Sequence, residues 1–224
     1  MIAYNELFTD HLPAPAGRWN GFQRYYFIGG NNDPKAVPVE GLVASAERVL
    51  RREGHKLACY NMGEGSLGYP GLRDFVAEKL SSMRGIQGSA DDVLITSGSL
   101  QGLDLVNDVL LERGDTIIME QLTYGGALPP LRRRGVEIVG VPLDDQGMRT
   151  DLLAATLEDL KARGIRPKYI YTIPTVQNPT ATILPLERRR EMLRLAEQHD
   201  IAIFEDECYS DLIWDGQRPP ALFA

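Results

Sequence analysis

Cysteine is scarce in this 224-residue chain, which holds only Cys59 and Cys208. The two form no C-x-x-C pair and stand at no ligand-like spacing from His11, His55 or His199. That argues against a disulfide framework and a zinc site, and two reduced thiols are expected. Long apolar runs are missing too. No segment approaches the roughly 18 apolar residues that a membrane span requires. The first residues, Met1-Ile2-Ala3-Tyr4-Asn5-Glu6-Leu7, have no basic stretch leading into an apolar core. No secretory signal is expected, and a cytoplasmic location is. Positive charge is in deficit: 24 Lys and Arg stand against 31 Asp and Glu, a net charge of −7. This argues against non-specific nucleic-acid binding and against an anionic membrane surface. The arginine triplets at 132–134 and 188–190 fall on expected helices and read as solvated faces. Finally, there is no Gly-Lys-Ser/Thr of a Walker A loop and no G-x-G-x-x-G dinucleotide fingerprint.

What remains is a composition of ordinary globular type, 43% hydrophobic and 25% charged. A chain of this length can bury roughly 70–75% of its unfolded surface, so a substantial core is expected. The first forty residues carry Pro13, Pro15, Pro34, Pro38 and the run Gly29-Gly30-Asn31-Asn32-Asp33, and read as an arm with turns. A helix is expected over Leu42–Glu53, stopped by Gly54. Residues 1–55 are thus expected to form an arm and first helix, and 56–224 a larger domain. That domain begins with the glycine-rich loop from Tyr60 to Pro70 and a helix through Leu72, Phe75, Val76 and Leu80.

From Asp92 onward, short apolar runs alternate with helical periodicity. Strands are expected at Val93–Thr96, Thr116–Met119, Val136–Val141, Tyr169–Ile173 and Ile201–Phe204. Helices are expected through Leu103–Leu111, Gly126–Arg134, Leu152–Leu160 with Thr150 as N-cap, and Leu186–His199. This alternation predicts an α/β fold, a mostly parallel sheet with helices on both faces. The strands are short and nearly all apolar, as expected when both sheet faces are covered.

In such sheets ligands bind beyond the carboxyl ends of the strands, so the residues that follow each strand matter most. After the first come Ser97-Gly98-Ser99-Leu100, where small residues at a helix start offer backbone N–H groups and a hydroxyl to an anion such as phosphate. After the second, Tyr124 precedes Gly125-Gly126, a place for a ring to lie against a planar ligand. After the fourth, Pro174 and Pro179 bracket Asn178 and stiffen the loop that presents its amide. After the fifth come Asp206-Glu207-Cys208-Tyr209, a carboxylate and a phenol at the end of a buried strand. Each has a plainer explanation taken alone: a serine N-cap, a packing tyrosine, an Asx turn and an aspartate N-cap.

As an ordered set, Ser97-Gly98-Ser99, Tyr124, Asn178-Pro179-Thr180 and Asp206-Glu207-Cys208-Tyr209 resemble the pyridoxal-phosphate-dependent class I/II aminotransferases of fold type I. The resemblance runs from about Tyr60 to the end of the chain, with Gly29-Gly30 as an earlier match. It implies pyridoxal 5′-phosphate as cofactor, an amino acid and a 2-oxo acid as substrates, and a homodimer in the complete protein. By the same resemblance Gly98, Ser99 and Leu100 bind the phosphate, and Tyr124 stacks on the pyridine ring. Asn178 and Tyr209 bond the ring's 3-hydroxyl oxygen, and Asp206 pairs with the protonated ring nitrogen. Gly30 lies near the substrate carboxylate, and Tyr60 reaches the phosphate of the neighbouring subunit. A carboxylate beside the ring nitrogen favours its cation by up to roughly 4 kcal/mol at an effective dielectric of about 20. That keeps the ring an effective electron sink.

Two departures stand out. Ala181 occupies a position where relatives usually have glycine. The lysine that bonds the cofactor, expected past the aspartate, has no counterpart: Lys35, Lys56, Lys79, Lys161 and Lys168 all precede Asp206. No catalytic residue is therefore expected within these residues. The resemblance implies a truncated large domain without its C-terminal small domain and with an unpaired sheet edge. Two rival functions are a non-catalytic cofactor-binding or interaction fragment and a lyase or decarboxylase of the same fold. A sensor fused to a DNA-binding domain is disfavoured, because no helix-turn-helix precedes residue 40.

Overall fold

The computed structural model describes residues 4–8, 12, 15, 17, 18, 20, 21, 23–26, 29–60, 65–214, 216 and 218–224. They form two compact units, Met1–His55 and Lys56–Ala224. Helix α1, Val39–Glu53, organises the first. It starts three residues before the expected position because Leu42 N–H already donates to Pro38 O at 3.0 Å. Gly54 does not stop it in a left-handed cap. Gly54 keeps helical angles (φ −55°, ψ −28°), and a 3-10 turn follows over Gly54–Ala58.

The second unit is an α/β sandwich. Helix α2 spans Pro70–Arg84, with Pro70 in its first turn, where a missing N–H costs nothing. It ends at Gly85, whose φ of 70° lets its N–H reach back to Ser81 O while Ile86 N–H reaches Leu80 O. Helix α3, Ser99–Leu110, precedes strand β1, Thr116–Glu120. Helix α4, Leu128–Arg134, leads to strand β2, Glu137–Val141. A small antiparallel hairpin follows, strand β3 at Leu143–Asp144 and strand β4 at Gly147–Met148. Then come helix α5, Thr150–Ala162, strand β5, Tyr169–Thr172, helix α6, Leu186–His199, and strand β6, Ala202–Glu205.

The main sheet has the order β2-β1-β5-β6, and all its pairs are parallel. The period-2 alternation of β1 sends Ile118 to one face and Ile117 and Met119 to the other. Ile118 and Ile170 pack against Leu153, Leu157 and Leu160 of α5 and Met192 and Leu195 of α6. Ile117, Met119, Tyr169 and Tyr171 pack against Leu103 of α3 and Leu131 of α4. Helices therefore cover both faces, as the sequence predicts. All five residues of β1 are buried, which explains its unbroken apolar run.

Three further expectations are corrected. Val93–Thr96 forms no strand. A strand needs a ladder, and Ile95 N–H finds only Leu67 O at 2.9 Å, with Leu94 left 47% exposed. Thr150 is the buried first residue of α5 rather than its cap, which is Arg149. The α4 helix opens with a 3-10 turn over Gly125–Ala127, so regular helix begins at Leu128. Among the described residues, β6 pairs only with β5. Beyond its free edge lies a trough of about 900 Å³ lined by Leu80, Val106, Leu110, Leu193, Ile203 and Phe223. No helix among the described residues is long and apolar enough to cross a membrane.

Candidate functional site

The carboxyl ends of β1, β5 and β6 lie side by side. Met119 stands opposite Tyr171 and Thr172 opposite Glu205, so the loops leaving these strands emerge on one edge. This adjacency gathers Tyr124, Asn178, Asp206 and Tyr209 at one end of the sheet. Helix α3 contacts the 3-10 turn over Gly125–Ala127, so it lies beside the loop that carries Tyr124.

Gly98 caps α3 with φ 86°, a conformation that glycine adopts without strain. A Cβ built on Gly98 would meet nothing within 4 Å, so the backbone conformation, not crowding, selects glycine there. Ser99 and Leu100 open the helix and are exposed, and first-turn N–H groups have no intrahelical acceptor. The turn is held from behind. Ser97 N–H donates to Gln101 Oε1 at 2.5 Å and Thr96 Oγ1 donates to Gly98 O at 3.0 Å. The open N–H groups and the positive end of the helix dipole together suit an anion.

Tyr124 is half-buried and its ring lies over Gly126. A Cβ at Gly126 would stand 2.4 Å from the ring's far end, so glycine is needed for that ring position. Asn178 is half-buried at a cis Asn178–Pro179 bond. Val176 (φ 53°) and Ala181 (φ 58°) flank it, both left-handed without being glycine. The loop is closed by Gln177 N–H to Thr182 O at 2.9 Å and Leu184 N–H to Pro174 O at 2.8 Å.

Asp206 follows β6, and its N–H continues the ladder to Thr172 O at 2.9 Å. The Tyr171 hydroxyl donates to Asp206 Oδ2 at 2.7 Å. Burial, with the negative charge of Asp206 adding, pushes the Cys208 thiol up to about 12. Tyr209 is half-buried and sits on the same loop, before a short 3-10 turn over Ser210–Leu212.

Two further residues named from the sequence are not on these strand-end loops. Gly30 belongs to the first compact unit, next to Gly29 at φ 78°. Tyr60 is 99% exposed and therefore packs on nothing in its own unit. Residues 61–64 of the glycine-rich loop lie outside the described residues.

Sequence reasoning missed three side chains. Tyr171 fixes Asp206, and Gln177 and Glu120 brace the Asn178 loop. Glu120 is 3% exposed and accepts from Thr172 Oγ1 at 2.6 Å, Ile173 N–H at 3.2 Å and Gln177 Nε2 at 3.1 Å. Burial raises its carboxyl to about 7 against the pull of those donors, and the charge of Asp206 adds to the rise. A carboxylate ending an apolar strand was the signal that singled out Asp206, and Glu120 carries the same signal.

The family model for aminotransferase class I and II matches residues 32–223. An aromatic-amino-acid aminotransferase of Thermococcus litoralis is 37% identical over 189 residues, covering 84% of this chain and 45% of its own length. Among solved structures, an archaeal alanine:glyoxylate aminotransferase superposes with a TM-score of 0.81 at 35% identity, covering 87% of this chain and 47% of that one. An α-aminoadipate aminotransferase of Thermus thermophilus, complexed with N-(5′-phosphopyridoxyl)-L-leucine, superposes with a TM-score of 0.76 at 34% identity, covering 87% and 46%. The chain spans about half the length of these relatives.

Proposed function

The chain belongs to the aminotransferase class I and II family, and from that premise we propose that it binds pyridoxal 5′-phosphate at the carboxyl ends of β1, β5 and β6. The donor set suits this ligand. The N–H groups of Ser99 and Leu100, the Ser99 hydroxyl and the open backbone at Gly98 would take the phosphate. Tyr124 would lie against the ring. The Asn178 amide and the Tyr209 phenol would bond the ring hydroxyl, and Asp206 would hold a proton on the ring nitrogen. Bound there, the cofactor supplies an electron sink for bond changes at the α-carbon of an amino acid. The observation that carries this reading is Asp206, fixed by Tyr171 at 2.7 Å on the sheet edge that also presents Asn178.

For the whole protein we infer transfer of an amino group between an amino acid and a 2-oxo acid, in a homodimer. Gly30 would stand near the substrate carboxylate, and the exposed Tyr60 would face the second copy. The names of the aminotransferase relatives support the reaction class. A second reading, non-covalent cofactor binding without turnover, is favoured for these 224 residues by their lysines. Lys168 pairs with Asp115 at the opposite, amino end of the sheet, and Lys79 pairs with Asp211.

Titration of the 224-residue chain with pyridoxal 5′-phosphate, followed by borohydride treatment and mass spectrometry, tests both statements. Saturable one-to-one binding without a site-specific reduced lysine is expected. Absence of saturable binding defeats the cofactor site, and a single specifically reduced lysine defeats the non-covalent reading.

A further inference from the structure

Behind the Asn178 loop lies a buried hydrogen-bonded clamp. Gln177 is 3% exposed. Its Nε2 donates to Glu120 Oε2 at 3.1 Å and to Leu122 O at 2.6 Å. Its Oε1 accepts from Thr180 N–H at 2.9 Å and from Thr180 Oγ1 at 2.7 Å. A carbonyl only accepts and an N–H only donates, so these partners permit one orientation of the amide. Glu120 is anchored in turn by Thr172 Oγ1 and Ile173 N–H, on the end of β5. The pair thus ties the end of β1, the end of β5 and the far side of the Asn178–Pro179 turn into one unit.

The turn needs such a restraint. Val176 and Ala181, on either side of Asn178, have φ of 53° and 58°. Non-glycine residues in this region are strained and persist only where the surroundings impose them. Gln177 sits between the two and holds Thr180, so it supplies that imposition at the residue next to Asn178.

We propose that Glu120 and Gln177 are positioning residues that aim the Asn178 amide at the ring hydroxyl of the ligand. The inference rests on the reading of this site as a pyridoxal 5′-phosphate site. Neither side chain needs to touch the ligand, because both act through the loop. Loss of the clamp then weakens only those ligands that offer Asn178 a partner.

The test compares pyridoxal 5′-phosphate with its 3-deoxy analogue, which lacks that partner, by fluorescence titration of the 224-residue chain. The proteins are the wild type, Asn178→Ala, Gln177→Met and Glu120→Gln, each checked for folding by circular dichroism. The wild type should prefer the hydroxylated ligand by up to about a hundredfold, the scale of the two hydrogen bonds offered by Asn178 and Tyr209. Asn178→Ala and Gln177→Met should each cut that preference by about tenfold, the Asn178 share, and leave the share that Tyr209 supplies. Glu120→Gln, which turns a donor toward Gln177, should lose part of it and serves in place of Gln177→Met if that variant does not fold. Equal weakening of both ligands, or an undiminished preference in folded clamp variants, overturns the clamp and leaves the cofactor site standing. A wild type that binds neither ligand overturns the cofactor site itself, and the clamp's role with it.

Discussion

The Tyr171 hydroxyl donates to Asp206 Oδ2 at 2.7 Å, so a strand side chain of β5 fixes the carboxylate delivered by β6. The tyrosine ring is fully buried and meets Phe204 edge-on at 5.6 Å, which leaves its tip one direction to point. Burial and the charge of Asp206 both raise the phenol's pKa, so it remains a donor at every working pH. Tyr171→Phe should keep the ring packing and remove the bond, lowering stability by about 1–2 kcal/mol. Urea unfolding with an unchanged slope measures this. A loss near zero would show that Asp206 does not depend on Tyr171.

Glu120 makes the fold sensitive to pH. Its carboxyl rises to about 7 in the folded protein from an ordinary value of 4.5. A raised acid binds its proton more tightly when folded. Its contribution to stability is therefore complete below about pH 4.5 and is lost as pH climbs through 7. The size is up to about 3 kcal/mol, at about 1.4 kcal/mol per unit. Glu120→Gln cannot titrate, so its stability should fall less steeply than the wild type's between pH 5 and 8. Parallel denaturation curves across that range provide the comparison. Identical pH slopes would mean that Glu120 titrates normally.

The strands were legible where an apolar run lies inside the sheet. Thr116–Met119, Tyr169–Ile173 and Ile201–Phe204 each match a parallel strand to within a residue or so. Val93–Thr96 has the same local character and forms none, because pairing is a non-local property that a short run does not carry. The β3–β4 hairpin was missed although Asp144-Asp145-Gln146-Gly147 holds turn chemistry, with Gly147 at φ 85°. At the site, the residue that ends or follows a strand was readable because the fold class places ligands there. The supports were not readable. Tyr171 meets Asp206 across 35 residues and Gln177 meets Glu120 across 57, through the register of β1, β5 and β6.

Ala181 stands at φ 58° and is exposed, so its methyl group brings strain and little packing. Ala181→Gly should stabilise the protein by about 0.5–1 kcal/mol, because glycine adopts this conformation freely. Thermal unfolding at fixed pH should show a rise in Tm. A fall would mean that the methyl group packs better than its exposure suggests.

Arg189, expected from the sequence on a solvated helix face, is instead 1% exposed and joins three segments. Its guanidinium donates to Leu184 O, Pro174 O and Thr175 Oγ1 at 2.8 Å each and to Pro220 O at 3.0 Å. It lies 3.7 Å from Glu205 and 3.6 Å from Glu207. Glu205 in turn accepts from Leu222 N–H at 2.7 Å and Phe223 N–H at 3.1 Å, which pins residues 220–223 across the end of β6. Burial alone pulls the arginine's pKa down, and the two glutamates oppose that pull. Arg189→Leu would leave Glu205 buried without its cation and remove a donor from four acceptors, so a loss of about 3–5 kcal/mol is expected. Arg194 supplies the control. It pairs with Glu191 at 2.7 Å, but both side chains are solvent-exposed by more than a third. Arg194→Leu should change stability by less than about 0.5 kcal/mol, as exposed pairs do. Denaturant midpoints of the two variants, measured side by side, decide the matter. Comparable small losses would show that the buried network does not hold the segment, whereas a large gap would locate the stability of this sheet end in Arg189.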